Sequence, residues 1–222
     1  MRNLGIVSSS RSERHLMQAL VDEMNNGKYD LKAELIEINS MFFTPLRNTS
    51  FDILREFDFL ILPADRTELC RFAYELFIQN IPFCHYLAGS RSYSHTHDDI
   101  NRQMISLMAN FCFAESPEAR KNLIEMGIPE DRILITGTSH FDGITMQDME
   151  ANKPIDHDLK VYDLILMNPE TQTDNEWFGG IGKYAKNPNY IIINPNEDSK
   201  QHSQINVPRL EFLWLLHHAD NF

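Results

Sequence analysis

The sequence predicts an α/β protein with a parallel sheet, and three observations carry that expectation. Short apolar runs alternate with stretches of helical period from residue 1 to about residue 145. The runs end in turn signals, such as Ser8-Ser9-Ser10, Pro63-Ala64-Asp65, Gly89-Ser90 and Gly137. Polar and charged residues gather just after those run ends, where open parallel sheets build their sites.

In chain order, 4–7 reads as a buried strand and 8–12 as a turn with a helix cap. A helix over 15–24 follows, with Leu16, Met17, Leu20, Val21 and Met24 on one stripe. The loose alternation of Ala33, Leu35, Ile36 and Ile38 predicts a strand over 32–38, and 51–57 a short helix. A strand over 59–62 is closed by Pro63. A helix over 67–79, a strand that begins over 82–85 and a helix over 98–110 come next. The last three elements of the unit are a strand over 111–114, a helix over 117–126 and a strand over 133–135. Residues 146–158 are polar and aperiodic and read as a linker. The pattern restarts over 159–222 with strands at 164–167 and 190–193 and a helix at 208–219. The expected organisation is one complete domain over 1–145 and an incomplete second α/β unit over 159–222.

Composition sets bounds on function. The 222 residues carry 32 acidic and 20 basic side chains, a net charge of −12, and 42% are hydrophobic. That charge argues against nucleic acid as a partner, since phosphate backbones call for a basic footprint. A local arginine or a helix N-terminus still accommodates a phosphorylated ligand. No run approaches the roughly 18 apolar residues of a membrane span, and Ser8-Ser9-Ser10-Arg11 interrupts the first apolar run too early for a secretion signal. Cys70, Cys84 and Cys112 lie in apolar surroundings without CxxC spacing, the pattern of free thiols in a reducing cytoplasm. No metal cluster or cofactor motif is visible, so the expected cofactor is none.

Several strand ends carry chemistry-bearing residues in a fixed order. They are Ser10-Arg11-Ser12-Glu13, Ala64-Asp65-Arg66-Thr67-Glu68, His85-Tyr86-Leu87-Ala88-Gly89 and Asp98-Asp99-Ile100-Asn101-Arg102. Thr136-Gly137-Thr138 follows, then Asn168-Pro169 and Asn194-Pro195-Asn196. Each has a plain structural reading as well: Ser10 and Asp65 as helix caps, and Asp98 or Asp99 with Arg102 as a favourable pair in a first helical turn.

In this order the segments resemble the UDP-N-acetylglucosamine 2-epimerases, and most closely their hydrolysing branch. The resemblance runs from about Gly5 to the last residue and is strongest over 59–144. It implies the GT-B architecture, two facing Rossmann-like domains with a UDP-sugar between them. It also implies a reaction class, UDP-N-acetylglucosamine to N-acetylmannosamine plus UDP, in the making of sialic-acid-type sugars. Carried over position by position, it makes Asp65, Asp98 and Asp99 the candidate catalytic residues. Arg11, Arg66, His85, Ser90, Arg102 and Asn168 become the candidate substrate-binding residues. Adjacent residues on a helix point about 100° apart, so only one of Asp98 and Asp99 is expected to face the cleft.

The chain departs from the family pattern at three positions. Ala64 stands where the family has glycine, Leu87 where it has a catalytic glutamate, and Asn168 where it has a histidine. Neither leucine nor asparagine titrates. The family's glycine- and serine-rich nucleotide loop would follow Phe222, so the expectation is a C-terminally truncated relative. Activity is expected to be weak or absent for this chain by itself. A noncatalytic nucleotide-sugar or partner-binding relative and a GT-B glycosyltransferase remain as alternatives. A new base near the cleft, for instance His95 or His97, would favour activity, but both read first as loop histidines. A homo-oligomer, or a partner subunit covering the last helix, completes the expectation.

Overall fold

The structure is a computed structural model and describes residues 1–38, 52–92, 97–142, 144–152, 162–166 and 190–193. The chain divides into two compact units, Met1–Asp142 and Gly143–Phe222.

The first unit holds six strands: β1 (Arg2–Ser8), β2 (Leu31–Glu37), β3 (Phe59–Pro63), β4 (Phe83–Ala88), β5 (Phe111–Ala114) and β6 (Ile133–Ile135). They form one sheet in the order β2-β1-β3-β4-β5-β6, and all five pairings are parallel. The crossover helices are α1 (Arg11–Met24), α2 (Thr67–Ile78), α3 (His97–Met108) and α4 (Pro117–Glu125). The order runs one way from β1 to β2 and the other way from β3 to β6. Right-handed crossovers therefore set α1 on one face and α2, α3 and α4 on the other.

Two buried clusters match the two faces. Leu16, Met17 and Val21 of α1 pack with Ile6, Ala33 and Ile61. Leu69, Phe72 and Leu76 of α2, Ile105 of α3 and Leu123 of α4 pack with Val7, Leu60 and Leu62. Each such burial is worth about 1.5–3 kcal/mol. Strands covered on both faces read as unbroken apolar runs, and every residue of β4 is buried.

Three differences from the sequence expectation have local causes. Helix α1 starts at Arg11 because the Ser10 hydroxyl accepts the Glu13 N–H at 3.3 Å. The Ser9 N–H and hydroxyl both donate to Glu13 Oε2 at 2.7 Å, closing the first turn from the other side. Strand β4 continues past His85 to Ala88 through a bulge. Tyr86 pairs with Phe113 and Ala88 with Ala114, so Leu87 is the extra residue, with φ +59°. Leucine is not a turn signal, and the bulge is silent in sequence. The short helix expected over 51–57 is a 3₁₀ turn, Asp52–Glu56.

Beyond the bulge the backbone turns left-handed again at Gly89, with φ +89°. A Cβ there would stand 2.3 Å from the Ala119 carbonyl oxygen, so α4 can approach β4 only over a glycine. The Asn122 amide then donates to the Gly89 carbonyl at 2.9 Å.

In the second unit, helix α5 (Met146–Ala151) occupies part of the stretch read as a linker. Thr145 and Asp148 form a reciprocal capping box at its start. None of its residues is buried, so it lacks the apolar stripe that reveals a helix. Strands β7 (Asp163–Leu166) and β8 (Tyr190–Ile193) pair in parallel. The expected helix at 208–219 lies outside the described residues, as do Asn168, Asn194–Asn196 and His95. No helix among the described residues is long and apolar enough to cross a membrane.

Candidate functional site

The connections of β1 and β3 leave the sheet in opposite directions. The crevice beyond their carboxyl ends is where such sheets hold ligands. Its walls are the Ser8–Ser10 turn and the Ala64–Arg66 turn. Glu13, buried behind the first turn, senses the second. Burial raises its pKa, the Ser9 bonds oppose the rise, and the charges of Arg66 and Asp65 act in opposite senses.

Asp65 lies at the centre of a chain of contacts. Arg102 of α3 donates through Nη2 to Asp65 Oδ2, and through Nη1 to the Ser90 carbonyl at 3.0 Å. The Asp65 and Arg102 side chains are only 21% and 19% exposed, so water screens this pair weakly. The Ser90 hydroxyl in turn donates to Glu115 Oε1, at the end of β5. One linked group thus joins the carboxyl ends of β3, β4 and β5. Burial raises the pKa of Asp65, Arg102 pulls it down, and Asp98 pushes it up again. A carboxyl group so placed exchanges a proton closer to neutral pH than a free aspartate does.

His85 is completely buried beneath this group. Its Nε2 stands 2.6 Å from the Ala64 carbonyl oxygen, and its Nδ1 stands 2.8 Å from the Ser106 hydroxyl. Burial, reinforced by the charge of Arg102, lowers its pKa to about 4, so the ring is neutral near pH 7. A neutral ring facing a carbonyl carries its proton on Nε2 and leaves Nδ1 as an acceptor beside the Ser106 hydroxyl, whose one proton has the Arg102 carbonyl as a second acceptor at 2.8 Å. Both ring nitrogens are therefore engaged by the protein.

The acidic pair divides as helix geometry requires. Asp99 is buried, and accepts the Ser92 N–H and hydroxyl at 2.9 Å each, fixing the loop after Ser90. Asp98 is exposed and acts on Asp65 through its charge. Arg66 opens α2 and lies 3.6 Å from Glu68. Asn101 links α3 to Thr67 of α2 at 3.1 Å. Arg11 begins α1 at the same carboxyl edge. His97 is exposed at the start of α3.

Two members of this group escaped the sequence reading. Glu115 directly follows β5, and the strand-end rule that selected Asp65 would also have selected it. Ser106 sits in the middle of α3, and nothing in its local sequence distinguishes it from a surface serine. Among the described residues, no set of three His, Cys, Asp or Glu side chains is arranged to hold a metal ion.

The family model for UDP-N-acetylglucosamine 2-epimerase matches residues 49–219, more than half of the chain. The chain belongs to that family.

Among curated relatives, the UDP-N-acetylglucosamine 2-epimerase of Neisseria meningitidis is 30% identical over 98 residues. That match covers 42% of this chain and 26% of the relative. The Yersinia pestis enzyme is 32% identical over 108 residues, 46% of this chain and 29% of the relative. These matches thus span well under half of the relatives' length. Solved structures align over nearly all of this chain. The 2-epimerase of Methanocaldococcus jannaschii in complex with UDP-GlcNAc and UDP gives a TM-score of 0.66 at 18% identity, covering 98% of this chain and 77% of that one. The Neisseria meningitidis 2-epimerase bound to UDP-GlcNAc gives 0.61 at 19%, covering 100% and 72%. At these identities the likeness speaks for the fold alone, and the fold is that of the GT-B epimerases.

The structure gives a physical reading of two positions at which the sequence departs from the expected pattern. Ala64 has φ +56°, a left-handed backbone that glycine adopts without strain. Leu87 is buried among Ile6, Met17 and Tyr86.

Proposed function

We propose that the carboxyl edge of the first unit holds the sugar and diphosphate of a UDP-N-acetylhexosamine. In this reading the chain's reaction class is the family's, inversion at C2 of UDP-N-acetylglucosamine. In its hydrolysing form that reaction yields N-acetylmannosamine and UDP for sialic-acid-type sugars. The observation that carries the proposal is the Asp65–Arg102–Ser90 chain of contacts along the carboxyl ends of β3 and β4, with Asp65 bordering the β1/β3 switch point. It supplies a carboxyl group of raised pKa beside a fixed cation. The relatives' complexes with UDP-GlcNAc support the ligand class.

The chemistry asks for a base to take the C2 proton as the diphosphate leaves, and for an acid on the opposite face when water adds. In this reading Asp65 takes one of these roles, supported by its raised pKa. Arg102, Arg66 and Arg11 supply positive charge for the diphosphate, and the start of α1 adds backbone N–H groups. Leu87 cannot move a proton, and its burial among apolar side chains favours a second reading, a relative that binds the nucleotide sugar with little turnover.

The test is a titration of UDP-N-acetylglucosamine into the wild-type chain and an Arg102→Ala variant, with N-acetylmannosamine release followed in parallel. The site predicts at least about a tenfold loss of affinity in the variant, about 1.4 kcal/mol. Equal binding by both proteins would remove the site from the proposal. Loss of one positioned acid or base lowers rates by about 10²–10⁴. Turnover of the wild-type chain near about 1 s⁻¹ would accordingly refute the low-turnover reading.

A further inference from the structure

Resting on the UDP-sugar reading of the carboxyl edge, we propose that Glu115 is a specificity-determining residue of that site. Its second carboxylate oxygen accepts a hydrogen bond from the hexosamine of the bound nucleotide sugar.

Glu115 directly follows β5 and precedes Ser116, the cap of α4. It therefore stands at the same edge as Asp65 after β3 and Ser90 after β4. Neighbouring strands lie about 4.8 Å apart, so the ends of β3 and β5 are separated by roughly 10 Å across β4. One N-acetylhexosamine can bridge side chains that reach in from those two ends. Glu115 is half-buried, and its Oε1 accepts from the Ser90 hydroxyl. The Ser90 carbonyl accepts from Arg102, which also donates to Asp65. Two intervening residues thus fix the Glu115 carboxylate relative to Asp65.

The carboxylates around it are taken up by the protein. Asp65 pairs with Arg102, Asp99 accepts twice from Ser92, Glu13 accepts twice from Ser9, and Glu68 lies beside Arg66. Glu115 accepts one hydroxyl, and among the described residues no cation pairs with it and no donor reaches Oε2. Asp98 is exposed in the first turn of α3 and lacks any tie to the strand ends. The Ser90 bond joins the ends of β4 and β5, but a neutral amide oxygen would accept it equally. The start of α4 favours negative charge, yet Glu118 already supplies that in the first turn. What a carboxylate adds at position 115 is a strong acceptor for a donor on the ligand. Such charge-assisted bonds are about twice as strong as neutral ones.

The ligand's chemistry selects the sugar as that donor. A diphosphate only accepts hydrogen bonds, and its charge is repelled by Glu115. It belongs with Arg11, Arg66 and the start of α1 at the other end of the edge. The hydroxyls and the acetamido N–H of the hexosamine are donors. Ribose hydroxyls are donors too, but Glu115 is linked through Arg102 to Asp65, the group whose raised pKa suits proton exchange at the sugar ring.

Calorimetric titration of UDP-N-acetylglucosamine and of UDP into the full chain tests the proposal in wild type, Glu115→Ala and Glu115→Gln. Glu115→Ala should weaken the nucleotide sugar by about tenfold or more and leave UDP within about twofold. Glu115→Gln keeps the size and the Ser90 bond but loses the charge, and should give at least about a threefold loss with the same selectivity. It carries the comparison even where Glu115→Ala does not fold. Equal losses for both ligands would put Glu115 against the nucleotide or in the fold alone, and would overturn the proposal. No loss for either ligand would overturn it as well, while a loss on Arg102→Ala would leave the edge site standing. A wild-type chain that binds neither ligand would overturn both readings.

Discussion

His85 Nε2 stands 2.6 Å from the carbonyl oxygen of Ala64, a residue held in the left-handed region at φ +56°. The imidazole thus fixes the orientation of the peptide that leads into Asp65. It is itself fixed by Ser106, one helical turn beyond Arg102. His85→Phe would fill similar space but leave the Ala64 carbonyl and the Ser106 hydroxyl without the ring. The expected loss is about 1–3 kcal/mol in urea denaturation. An unchanged midpoint would mean that the pin bears no weight.

The same residue sets a pH dependence. Its folded pKa is about 4 against 6.5 for the free side chain. As pH falls from 6.5 towards 4, the unfolded chain takes a proton that the folded chain refuses, so stability declines through that window. The linkage amounts to about 3 kcal/mol at pH 4. Asp65 and Glu13, whose pKa values are raised, act in the opposite sense in both proteins. The stability gap between wild type and His85→Phe should therefore narrow from pH 7 to pH 4. A constant gap would contradict it.

Ala64→Gly should stabilise the fold. A left-handed alanine is strained by about 1–2 kcal/mol, and glycine returns about 0.4–1 kcal/mol of that through the freer unfolded chain. A net gain of about 0.5–1 kcal/mol is expected by denaturant titration. A bulky β-branched replacement, Ala64→Val, should be destabilising. A loss on Ala64→Gly would sink the strain argument.

Asp65 and Arg102 should couple. A double-mutant cycle with Asp65→Asn and Arg102→Ala is expected to return about 1–2 kcal/mol, more than an exposed pair gives because both side chains are largely shielded. Additive single effects would mean that the two groups do not stabilise each other.

Gly89→Ala should be the most damaging of these changes. The new methyl would meet the Ala119 carbonyl at 2.3 Å, on a backbone at φ +89°. Destabilisation of about 3 kcal/mol or more is expected in thermal and urea melts. Wild-type stability would show that α4 can yield.

Much of this architecture is legible in the sequence because strands buried on both faces are apolar throughout. Phe111–Ala114 and Ile133–Ile135 emerge with the predicted boundaries. The carboxyl-edge residues are legible too, since turn chemistry marks strand ends and Asp65, Ser90 and Arg102 come together there. What stays hidden depends on contacts distant along the chain. Ser106 acquires its role only through His85, 21 positions earlier, and Glu115 through Ser90, 25 positions earlier. Helix α5 is hidden for a different reason: it buries nothing, so no apolar period announces it.

The bulge at Leu87 changes the parity of β4. Before it, His85 points to the side of α3, and Tyr86 to the side of α1. Leu87 shares the side of Tyr86, and Ala88 lies on the side of α2, α3 and α4. Strict alternation would have turned Ala88 the other way. Because the bulge takes up Leu87, Ala88 keeps the side it would have if it followed Tyr86 directly, and the glycine under α4 keeps its place. Deleting Leu87 would remove one side chain from the apolar cluster and restore regular alternation, with Ala88 still facing α2, α3 and α4. The bulge thus lets β4 carry one extra apolar residue without turning over the positions that follow it.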